Sequence, residues 1–394
     1  MTTHAIRAGA DRVADLSWRD AFATARRLPT RLEPQRVPLG EAAGRVLAEP
    51  VLARAAQPGC DTAAMDGYAV RGPGPWAVAG RSLAGASPGS TLAPGTAVEI
   101  ATGAPVPDRA DAVLPYERCF RDGERLAGPC RPGQHIRRAG EDAVPGDLVV
   151  PAGRRVTAAV LGAAAQAGAD VLTVYRHPRV RLVVTGDEIV RRGVPGPGFV
   201  RDAFGPSIAA LVADAGGVLA GSVLVPDDRA ALRDAIAAAA GDDVLVVTGS
   251  SSVGAADHLH RVLAGLGAAW HVDGVRCRPG HPQLLARIPE GPWVVGLPGN
   301  PFAGLVAALT LLRPLLETMT GTAGAPLVRL PVRGAARVPS DGVRLAPVSL
   351  EGAHALLVND ARPASLRAAA GADALAVIEP GWTSGAPADL LTGF

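Results

Sequence analysis

The stretch LVVTGSSSVGAADHLHRVL, residues 245–263, decides the fold, because a buried strand, a loop and a helix follow one another directly in it. The apolar strand ends at Thr248, and a loop rich in glycine and serine runs from there to Gly254. Asp257 then lies at the start of the helix. An apolar strand that leads straight into a helix is typical of a parallel sheet with helices on both faces. The stretch therefore raises the question of which ligand its loop is built to hold.

The same alternation continues over residues 176–325. Strand-like segments (RVRLVVTG, VLAGSVLV and WVVGLPGNP) alternate with helix-like segments (GPSIAALVADAGG, DDRAALRDAIAAAAG and FAGLVAALTLLRPLL), and we expect Pro314 to end the last helix. Ligands of such sheets bind beyond the carboxyl ends of the strands. We therefore predict a central doubly wound α/β domain over 176–325, with its ligand at that edge.

The flanking segments have a different texture, so the fold class is a multidomain α/β protein. Short strands between Gly/Pro turns predict an inserted β-rich domain over 51–139 and a small C-terminal β-barrel over 326–394. Ser17 gives a capping-type start to a first amphipathic helix. A later alanine-rich helix could pack beside that first helix. Residues 1–50 and 140–175 are therefore predicted to form one discontinuous helical domain that links the other parts of the chain.

Composition limits the classes of function. The chain has 394 residues, 48% of them hydrophobic, which is enough for several packed cores. Its formal net charge is only +2, so we expect neither a nucleic-acid partner nor an anionic membrane surface. The four cysteines form no CxxC pair, which indicates reduced thiols and a cytoplasmic protein rather than a disulfide or zinc framework. We expect neither a signal peptide nor a membrane-spanning helix, because the N-terminal residues lack an apolar segment and no run of about 18 apolar residues is free of charges and turn breakers.

Polar loops follow four strand ends. They are TGDE (Thr185–Glu188), VPDD with Asp227, the loop of the opening stretch, and LPGNP (Leu297–Pro301). Free N–H groups at helix starts favour anions, and Mg²⁺ prefers a mixture of carboxylate, water and phosphate ligands. The residues alone therefore predict a phosphorylated small molecule bound with Mg²⁺. Each loop also has a plainer interpretation, since Asp227 and Asn300 can serve as helix N-caps and the glycine–serine loop as a simple turn.

Motifs spread from residue 63 to residue 304 resemble one family. In chain order they read MDGYAV, TGAPVP, RRAGED, TGDE, PDD, TGSSSVGAAD, RPGHP and GLPGNP. This order resembles the molybdopterin molybdenumtransferase family, MoeA, also known as the gephyrin E domain. The resemblance implies that the central domain binds molybdopterin, and that molybdenum from molybdate is inserted into adenylylated molybdopterin with Mg²⁺. AMP and molybdenum cofactor would be the products.

The resemblance also implies partners and site residues. The protein would be a homodimer whose active site lies between the central domain of one subunit and the β-rich domain of the other, and a molybdopterin adenylyltransferase is a candidate partner. The catalytic residues would be Asp66, Thr102, Asp142, Glu188, Asp227 and Asp257. The metal would be held by Glu188, Asp227 and Asp257. The substrate would be bound by Thr248, Gly249, Ser250, Ser251, Ser252, Gly254, Arg278, Pro298, Gly299, Asn300 and Pro301.

The sequence departs from the family pattern at positions expected to touch the pterin and phosphate pocket. The family loop TSGGVSVG is one residue shorter here, and the acidic residue after it is Ala255. Arg278 and His281 stand where the family has the two lysines of KPGKP, and Phe204 replaces an asparagine. These changes leave two alternatives open. One is a non-catalytic relative that binds molybdopterin or molybdenum cofactor, and the other is a protein for a different phosphorylated ligand.

Overall fold

The structure, a computed structural model, describes residues 14–85, 91–249, 255–322, 327–359 and 361–394. The described residues form two compact units. The first, called the α/β unit, contains residues 14–35, 44–46 and 175–394. The second, called the β-rich unit, contains residues 36–43 and 47–174. The finer division of residues 1–175 into a helical and a β-rich domain stays a prediction.

The chain enters through strand β1 (Ala14–Ser17) and helix α1 (Trp18–Arg27). Segment 34–175 then contains helix α2 (Ala158–Gln166), two 3₁₀ turns (Leu39–Glu41 and Tyr116–Arg118) and twelve short strands. These strands are β2 (Pro34–Pro38), β3 (Val51–Leu52), β4 (Thr62–Ala63), β5 (Gly67–Val70), β6 (Ala77–Ser82), β7 (Thr96–Ile100), β8 (Ala112–Pro115), β9 (Phe120–Asp122), β10 (Arg125–Ala127), β11 (Ile136–Arg137), β12 (Leu148–Val150) and β13 (Val171–Tyr175).

The main sheet of the β-rich unit has the order β6-β7-β5-β8. Its four strands lie within 51–139, where the sequence predicts short strands between Gly/Pro turns. Gly67 begins β5 between two antiparallel neighbours, and a Cβ atom there would lie 2.0 Å from the carbonyl oxygen of Leu114. The backbones of β5 and β8 therefore approach closely because residue 67 has no side chain.

The α/β unit continues with eight strands and five helices, in which a π-helical turn (Ala308–Leu312) joins the last two helices. The strands are β14 (Arg179–Thr185), β15 (Ile189–Val190), β16 (Val200–Arg201), β17 (Val218–Val225), β18 (Val244–Thr248), β19 (Ala269–Arg278), β20 (Leu284–Arg287) and β21 (Trp293–Leu297). The helices are α3 (Phe204–Asp214), α4 (Arg229–Ala237), α5 (Ala255–Gly265), α6 (Pro301–Ala307) and α7 (Arg313–Met319).

The central sheet is doubly wound, as predicted. Its order is β17-β14-β18-β21-β20-β19, and the first four strands are parallel. Side chains alternate between two cores: Val246 packs on the face covered by α3, α6 and α7, whereas Val247 packs on the face covered by α4 and α5. Both faces are buried, so the strands are apolar throughout.

A small closed barrel follows in the same unit. Its strands are β22 (Val328–Arg333), β23 (Val343–Glu351), β24 (His354–Leu357), β25 (Ala374–Ile378) and β26 (Pro387–Thr392), and a short helix α8 (Arg367–Ala370) precedes β25. The pairings β22–β24, β24–β23, β23–β25, β25–β26 and β26–β22 close the ring. The predicted C-terminal barrel is therefore present, and β19 pairs in parallel with β23 to join it to the central sheet.

The first helix has a different neighbour from the expected one. Ser17 caps α1 as predicted, because its hydroxyl accepts the N–H of Asp20. However, α1 packs on α7 and the π-helical turn in the α/β unit, whereas α2 packs on β12 in the β-rich unit. The two helices therefore belong to different units. Trp18, which is 1% exposed, anchors α1 by donating from Nε1 to Thr310 Oγ1 at 3.0 Å.

The helix expected to end at Pro314 continues through it to Met319. Proline removes one backbone donor and crowds the carbonyl four residues earlier. The preceding turn widens to π geometry at 308–312, which accommodates both effects. The whole run 301–319 is long and apolar enough to cross a membrane by length and composition, but 78% of its apolar window is buried in the protein. It is therefore a core helix of the α/β unit.

We expect Thr310→Val to lower the free energy of unfolding by about 1–3 kcal/mol, because it leaves the buried Trp18 N–H without a partner. Chemical denaturation followed by circular dichroism measures this. In a Trp18→Phe background the same substitution should cost less, since no indole N–H is then orphaned. An equal loss in both backgrounds would contradict the role of this hydrogen bond.

We expect Gly67→Ala to destabilise the β-rich unit by about 1–3 kcal/mol, because the added methyl group would force β5 away from β8. Gly80 in β6 is the matched control, since a Cβ atom there meets nothing within 4 Å. Gly80→Ala should therefore be near neutral. Thermal unfolding of both variants is the measurement, and equal melting temperatures would contradict the close approach.

Candidate functional site

A cavity of ≈ 690 Å³ lies at the carboxyl ends of the parallel strands. Loops after β14, β17, β18 and β21 all contribute to it, as the sequence predicts for this edge. The end of β19 with its following loop and part of the barrel complete the wall. The lining residues are Thr185, Gly186, Glu188, Asp227, Gly249, Cys277, Arg278, Pro279, Gly280, His281, Pro282, Pro298, Gly299, Asn300, Ala303, Arg344, Ala361 and Pro363.

Two glycines form the middle of the cavity wall. Gly249 has φ +80°, and a Cβ atom there would lie 2.5 Å from Thr185 Oγ1. That hydroxyl donates to the Thr248 carbonyl at 2.8 Å, which ties the ends of two adjacent strands together. A Cβ atom at Gly299 would lie 3.5 Å from the Gly249 Cα. The two backbones thus pass close to one another, and their lack of side chains keeps this part of the cavity open.

Carboxylates occupy the end of the cavity nearest β14 and β17. Glu188 and Asp227 both line it. Loss of hydration, and then the negative charges of Glu188 and Asp187, raise the pKa of the Asp227 carboxyl, while His258 opposes the rise. Asp227 is not the helix N-cap that the plainer interpretation expected. Asp228 caps α4 instead, with Oδ1 accepting the Ala231 N–H at 2.8 Å.

Arginines occupy the other end. Arg278 closes β19, and Arg344 lies directly beside it in the parallel pairing of β19 with β23. Both line the cavity, and within the described part of the chain neither guanidinium forms an ion pair or a side-chain hydrogen bond. In the sheet order the two arginines are separated from the carboxylates by the strands that carry the two glycines. The cavity is therefore polarised along the sheet, and its cationic end can accept an oxyanion.

The helix start after β21 differs from the expected anion site. Asn300 lies at the N-cap position of α6, but its side chain makes no capping hydrogen bond. The N–H groups of Phe302 and Ala303 instead donate to the Pro363 carbonyl oxygen at 3.0 and 3.3 Å. Pro301, the first helical residue, has no N–H to offer. In this structure the barrel caps α6, so these amides are already satisfied.

Asp66 and Thr102 form a hydrogen-bonded pair in the β-rich unit. Asp66 Oδ1 accepts from the Thr102 backbone N–H at 2.6 Å and from its hydroxyl at 2.9 Å. These bonds lower the pKa of the Asp66 carboxyl, because both stabilise its charged form. Both side chains are exposed. The pair thus presents a firmly ionised carboxylate on the surface of the unit.

Hydrogen bonds also bring the three β-rich motifs together. The Ala63 carbonyl, two residues before the first motif, accepts from the Gly103 N–H of the second at 2.8 Å, and Ala63 pairs with Ile136 beside the third. Within the third motif the Asp142 carboxylate pairs with Arg137. The predicted residues Asp66, Thr102 and Asp142 thus belong to one cluster of turns, although 76 positions separate the first from the last.

The remaining predicted residues fall into three groups. Gly249, Arg278, Pro298, Gly299 and Asn300 line the cavity with Glu188 and Asp227. Two do not: Thr248 is 1% exposed inside β18, and Pro301 lies at the start of α6 outside the lining. Ser250, Ser251, Ser252 and Gly254 lie outside the described residues, and Asp257 is described only as part of the backbone of α5.

The residues that differ from the family pattern do not all lie in the cavity. Phe204 does not touch the cavity, contrary to expectation, because its ring is 7% exposed and packs where a Cβ atom at Gly304 would meet it at 2.2 Å. The pair of a large ring and a glycine joins α3 to α6. His281 does line the cavity, and its Nε2 lies 3.4 Å from Asp15 Oδ1. Of the three substitutions, Arg278 and His281 are therefore the two that shape the described cavity.

Sequence reasoning missed the contribution of the barrel. Arg344, Ala361 and Pro363 reach the cavity from segments that look like ordinary strand and turn. The pairing of β19 with β23 brings Arg344 there, and two strands so far apart in sequence carry no local signal of pairing. The sequence signal was limited to one arginine, Arg344, near the start of an apolar strand.

Comparison with known proteins covers most of the chain. Residues 16–168 match the family model described as MoeA N-terminal region (domain I and II), and residues 181–318 match the model described as probable molybdopterin binding domain. The solved structure of a molybdopterin biosynthesis MoeA protein from Pyrococcus horikoshii has a TM-score of 0.79 and 27% identity, and covers 96% of this chain and 100% of that chain.

Curated relatives agree with the family models. A molybdopterin molybdenumtransferase of Nostoc sp. is 35% identical over 338 residues, which cover 81% of this chain and 77% of the relative. Molybdopterin molybdenumtransferase 2 of Mycobacterium tuberculosis is 37% identical over 312 residues, or 73% of this chain and 76% of the relative. The chain therefore belongs to the molybdopterin molybdenumtransferase family, MoeA, an enzyme family of molybdenum cofactor biosynthesis.

Proposed function

We propose that this protein takes adenylylated molybdopterin and molybdate, inserts molybdenum into the molybdopterin with Mg²⁺, and releases AMP and molybdenum cofactor. The observation that carries the proposal is the polarised cavity. Glu188 and Asp227 lie at one end, Arg278 and Arg344 at the other, and two glycines lie between them. Molybdate at the arginine end, and a substrate phosphate held through Mg²⁺ at the carboxylate end, match this distribution of charge.

The arginine end is suited to molybdate. A tetrahedral oxyanion with two negative charges offers acceptors to two guanidinium groups at once. Arg278 and Arg344 are neighbours across a strand pairing, and neither is paired with a carboxylate in the described residues. Their charges therefore remain available to the oxyanion, and its binding would relieve their mutual repulsion. Arg278 provides a planar fork where the family has a lysine, so it can donate two parallel hydrogen bonds.

The carboxylate end fits Mg²⁺. Loss of hydration, and then like-charge repulsion from Glu188 and Asp187, raise the pKa of Asp227, and a divalent cation would remove the repulsion. Glu188 and Asp227 would each supply a carboxylate, and the other positions around Mg²⁺ would go to water, phosphate and, as the family resemblance implies, Asp257. Bound Mg²⁺ would neutralise the phosphate of the substrate. The protein's own contribution is to hold the two carboxylates at adjacent strand ends.

We further propose that the protein works as a homodimer, in which Asp66 and Thr102 of a second copy complete the site. Two hydrogen bonds keep Asp66 ionised and fix its orientation, while its Oδ2 atom stays available on the surface. Asp142 would steady this surface through its pair with Arg137. A molybdopterin adenylyltransferase would be the enzyme that delivers the adenylylated substrate, and we expect the reaction to take place in the cytoplasm.

We expect the purified protein to release AMP from adenylylated molybdopterin only when molybdate and Mg²⁺ are both present. Arg344→Ala should raise the KM for molybdate about ten- to hundredfold, the factor for one lost charge-assisted hydrogen bond. The measurement is AMP release followed by chromatography. Arg329→Ala is the matched control, because Arg329 is an exposed arginine on β22 outside the cavity. Substrate binding without any AMP release by the wild-type protein would contradict the transferase activity and leave a binding protein.

We expect Asp227→Asn to lower turnover about a hundredfold, the usual effect of removing a charged group that stabilises a transition state. The metal-free variant should nevertheless melt at a higher temperature than the wild type at pH 7. A carboxyl whose pKa is raised by folding destabilises the fold once it ionises, so the gain is present at pH 7 and disappears below about pH 3. Differential scanning calorimetry at both pH values measures it.

Asp228→Asn is the control for that experiment, because asparagine also caps helices well. It should change neither turnover nor the melting temperature appreciably. A metal-free Asp227→Asn variant that melts below the wild type at pH 7 would show that Asp227 stabilises the fold, contrary to the pKa argument.

A further inference from the structure

Residues Cys277–Pro282, here called the wall loop, form one continuous side of the cavity. All six residues line it, and Arg278 is among them. The ends of this region are fixed to β19, since the Gly274 N–H donates to the Gln283 carbonyl at 2.9 Å and the Val275 N–H donates to the His281 carbonyl at 3.0 Å. Neither of these two hydrogen bonds involves Pro279 or Gly280 in the middle of the loop, so other groups must fix the backbone there.

Gln283 supplies an internal cross-link for the wall loop. Its side chain is buried, with the residue 1% exposed. The Nε2 amide donates to the Gly280 carbonyl oxygen at 2.8 Å and to Cys277 Sγ at 3.4 Å. One amide group thus ties the beginning of the loop to its middle, on either side of Arg278.

The amide oxygen of Gln283 shows that the side chain also lowers the stability of the fold. Oε1 is buried and has no hydrogen-bond partner among the described residues. An amide flip would direct Oε1 at the Gly280 carbonyl oxygen, where two acceptors repel, so the observed orientation is the favoured one. A methionine would fill the same space without an orphaned acceptor. The amide is therefore better explained by what it holds than by packing.

The loop has little room to adopt another shape. A Cβ atom at Gly280 would lie 3.1 Å from Val306 Cγ1 and 3.2 Å from the Ala303 carbonyl oxygen, so the loop lies directly against α6. Release of the Gly280 carbonyl by Gln283 would leave the backbone after Arg278 with the weaker tie from Cys277 Sγ to the Pro279 carbonyl at 3.4 Å. The pairing of β19 with β23 fixes the backbone up to Arg278, and Gln283 fixes the backbone that follows it, so both contribute to the orientation of Arg278 toward the cavity.

We propose that Gln283 is a positioning residue that holds the wall loop so that Arg278 faces the cavity and binds an oxyanion there. The role rests on the proposed function and deepens it at the arginine end of the site. It acts through Arg278 and requires no contact between Gln283 and the substrate. Loss of the Gln283 amide should therefore weaken oxyanion binding and leave kcat, the turnover rate of the substrate-bound protein, unchanged.

The test compares the wild-type protein with Gln283→Met, Arg278→Ala and the double variant. Calorimetric titration with sodium molybdate gives affinity, and AMP release gives KM and kcat. We expect Gln283→Met to weaken molybdate binding and raise its KM about three- to tenfold, with kcat unchanged, as for one lost hydrogen bond. In the Arg278→Ala background the same change should add nothing, because the residue through which Gln283 acts is then absent.

Two outcomes would overturn the proposal: unchanged molybdate affinity in Gln283→Met, or a further loss when it is combined with Arg278→Ala. If Gln283→Met does not fold, Gln283→Asn replaces it, since its shorter amide cannot reach the Gly280 carbonyl. Gln166→Met, at an exposed position on α2, controls for the substitution itself. A wild-type protein that binds neither molybdate nor inorganic phosphate would also overturn the role of Gln283. Molybdate binding without turnover would contradict only the transferase activity.

Discussion

The parallel alignment of β17, β14, β18 and β21 is the constraint on which the site depends. Because the four strands run in one direction, the loops that follow them meet at one edge, although the loops are far apart in sequence. Burial on both faces fixes the register, since a slip of one residue would exchange the two cores. Thr185 then reaches the Thr248 carbonyl, and the closely packed backbones at Gly249 and Gly299 leave the cavity open between its charged ends.

The sequence predicted the parts of this arrangement that depend on short-range pattern. Apolar strands alternating with amphipathic helices predicted the doubly wound sheet, and the strand ends predicted where ligand groups would gather. Glu188, Asp227, Gly249 and Asn300 line the cavity for that reason. The resemblance to the family added Asp66 and Thr102, whose hydrogen-bonded pair lies in a different unit and could not have been found from the spacing of residues alone.

The features that the sequence did not predict depend on contacts between distant segments. Arg344 reaches the cavity only because β23 pairs with β19, and Pro363 caps α6 from the barrel. The helix continues past Pro314 because a π turn absorbs the proline and Trp18 holds that turn from the N-terminal helix. The cap of α4 is Asp228 rather than Asp227, a difference of one residue that local pattern cannot resolve.

The pairing of charges distinguishes the cavity from the opposite edge of the sheet, although Asp242 Oδ1 at that opposite edge is also buried without a hydrogen-bond partner among the described residues. At that opposite edge Arg176 donates to both carboxylate oxygens of Asp243 at 2.7 Å. Asp243 is the residue directly before β18, so the two charges stabilise one another at the start of that strand. Around the cavity, Asp227 is held among like charges, and Gln283 keeps a buried oxygen that no described residue pairs with. Unfavourable groups of this kind persist where a ligand supplies the missing partners or where positioning outweighs stability. The cavity edge is therefore the part of the sheet that a bound substrate should stabilise most.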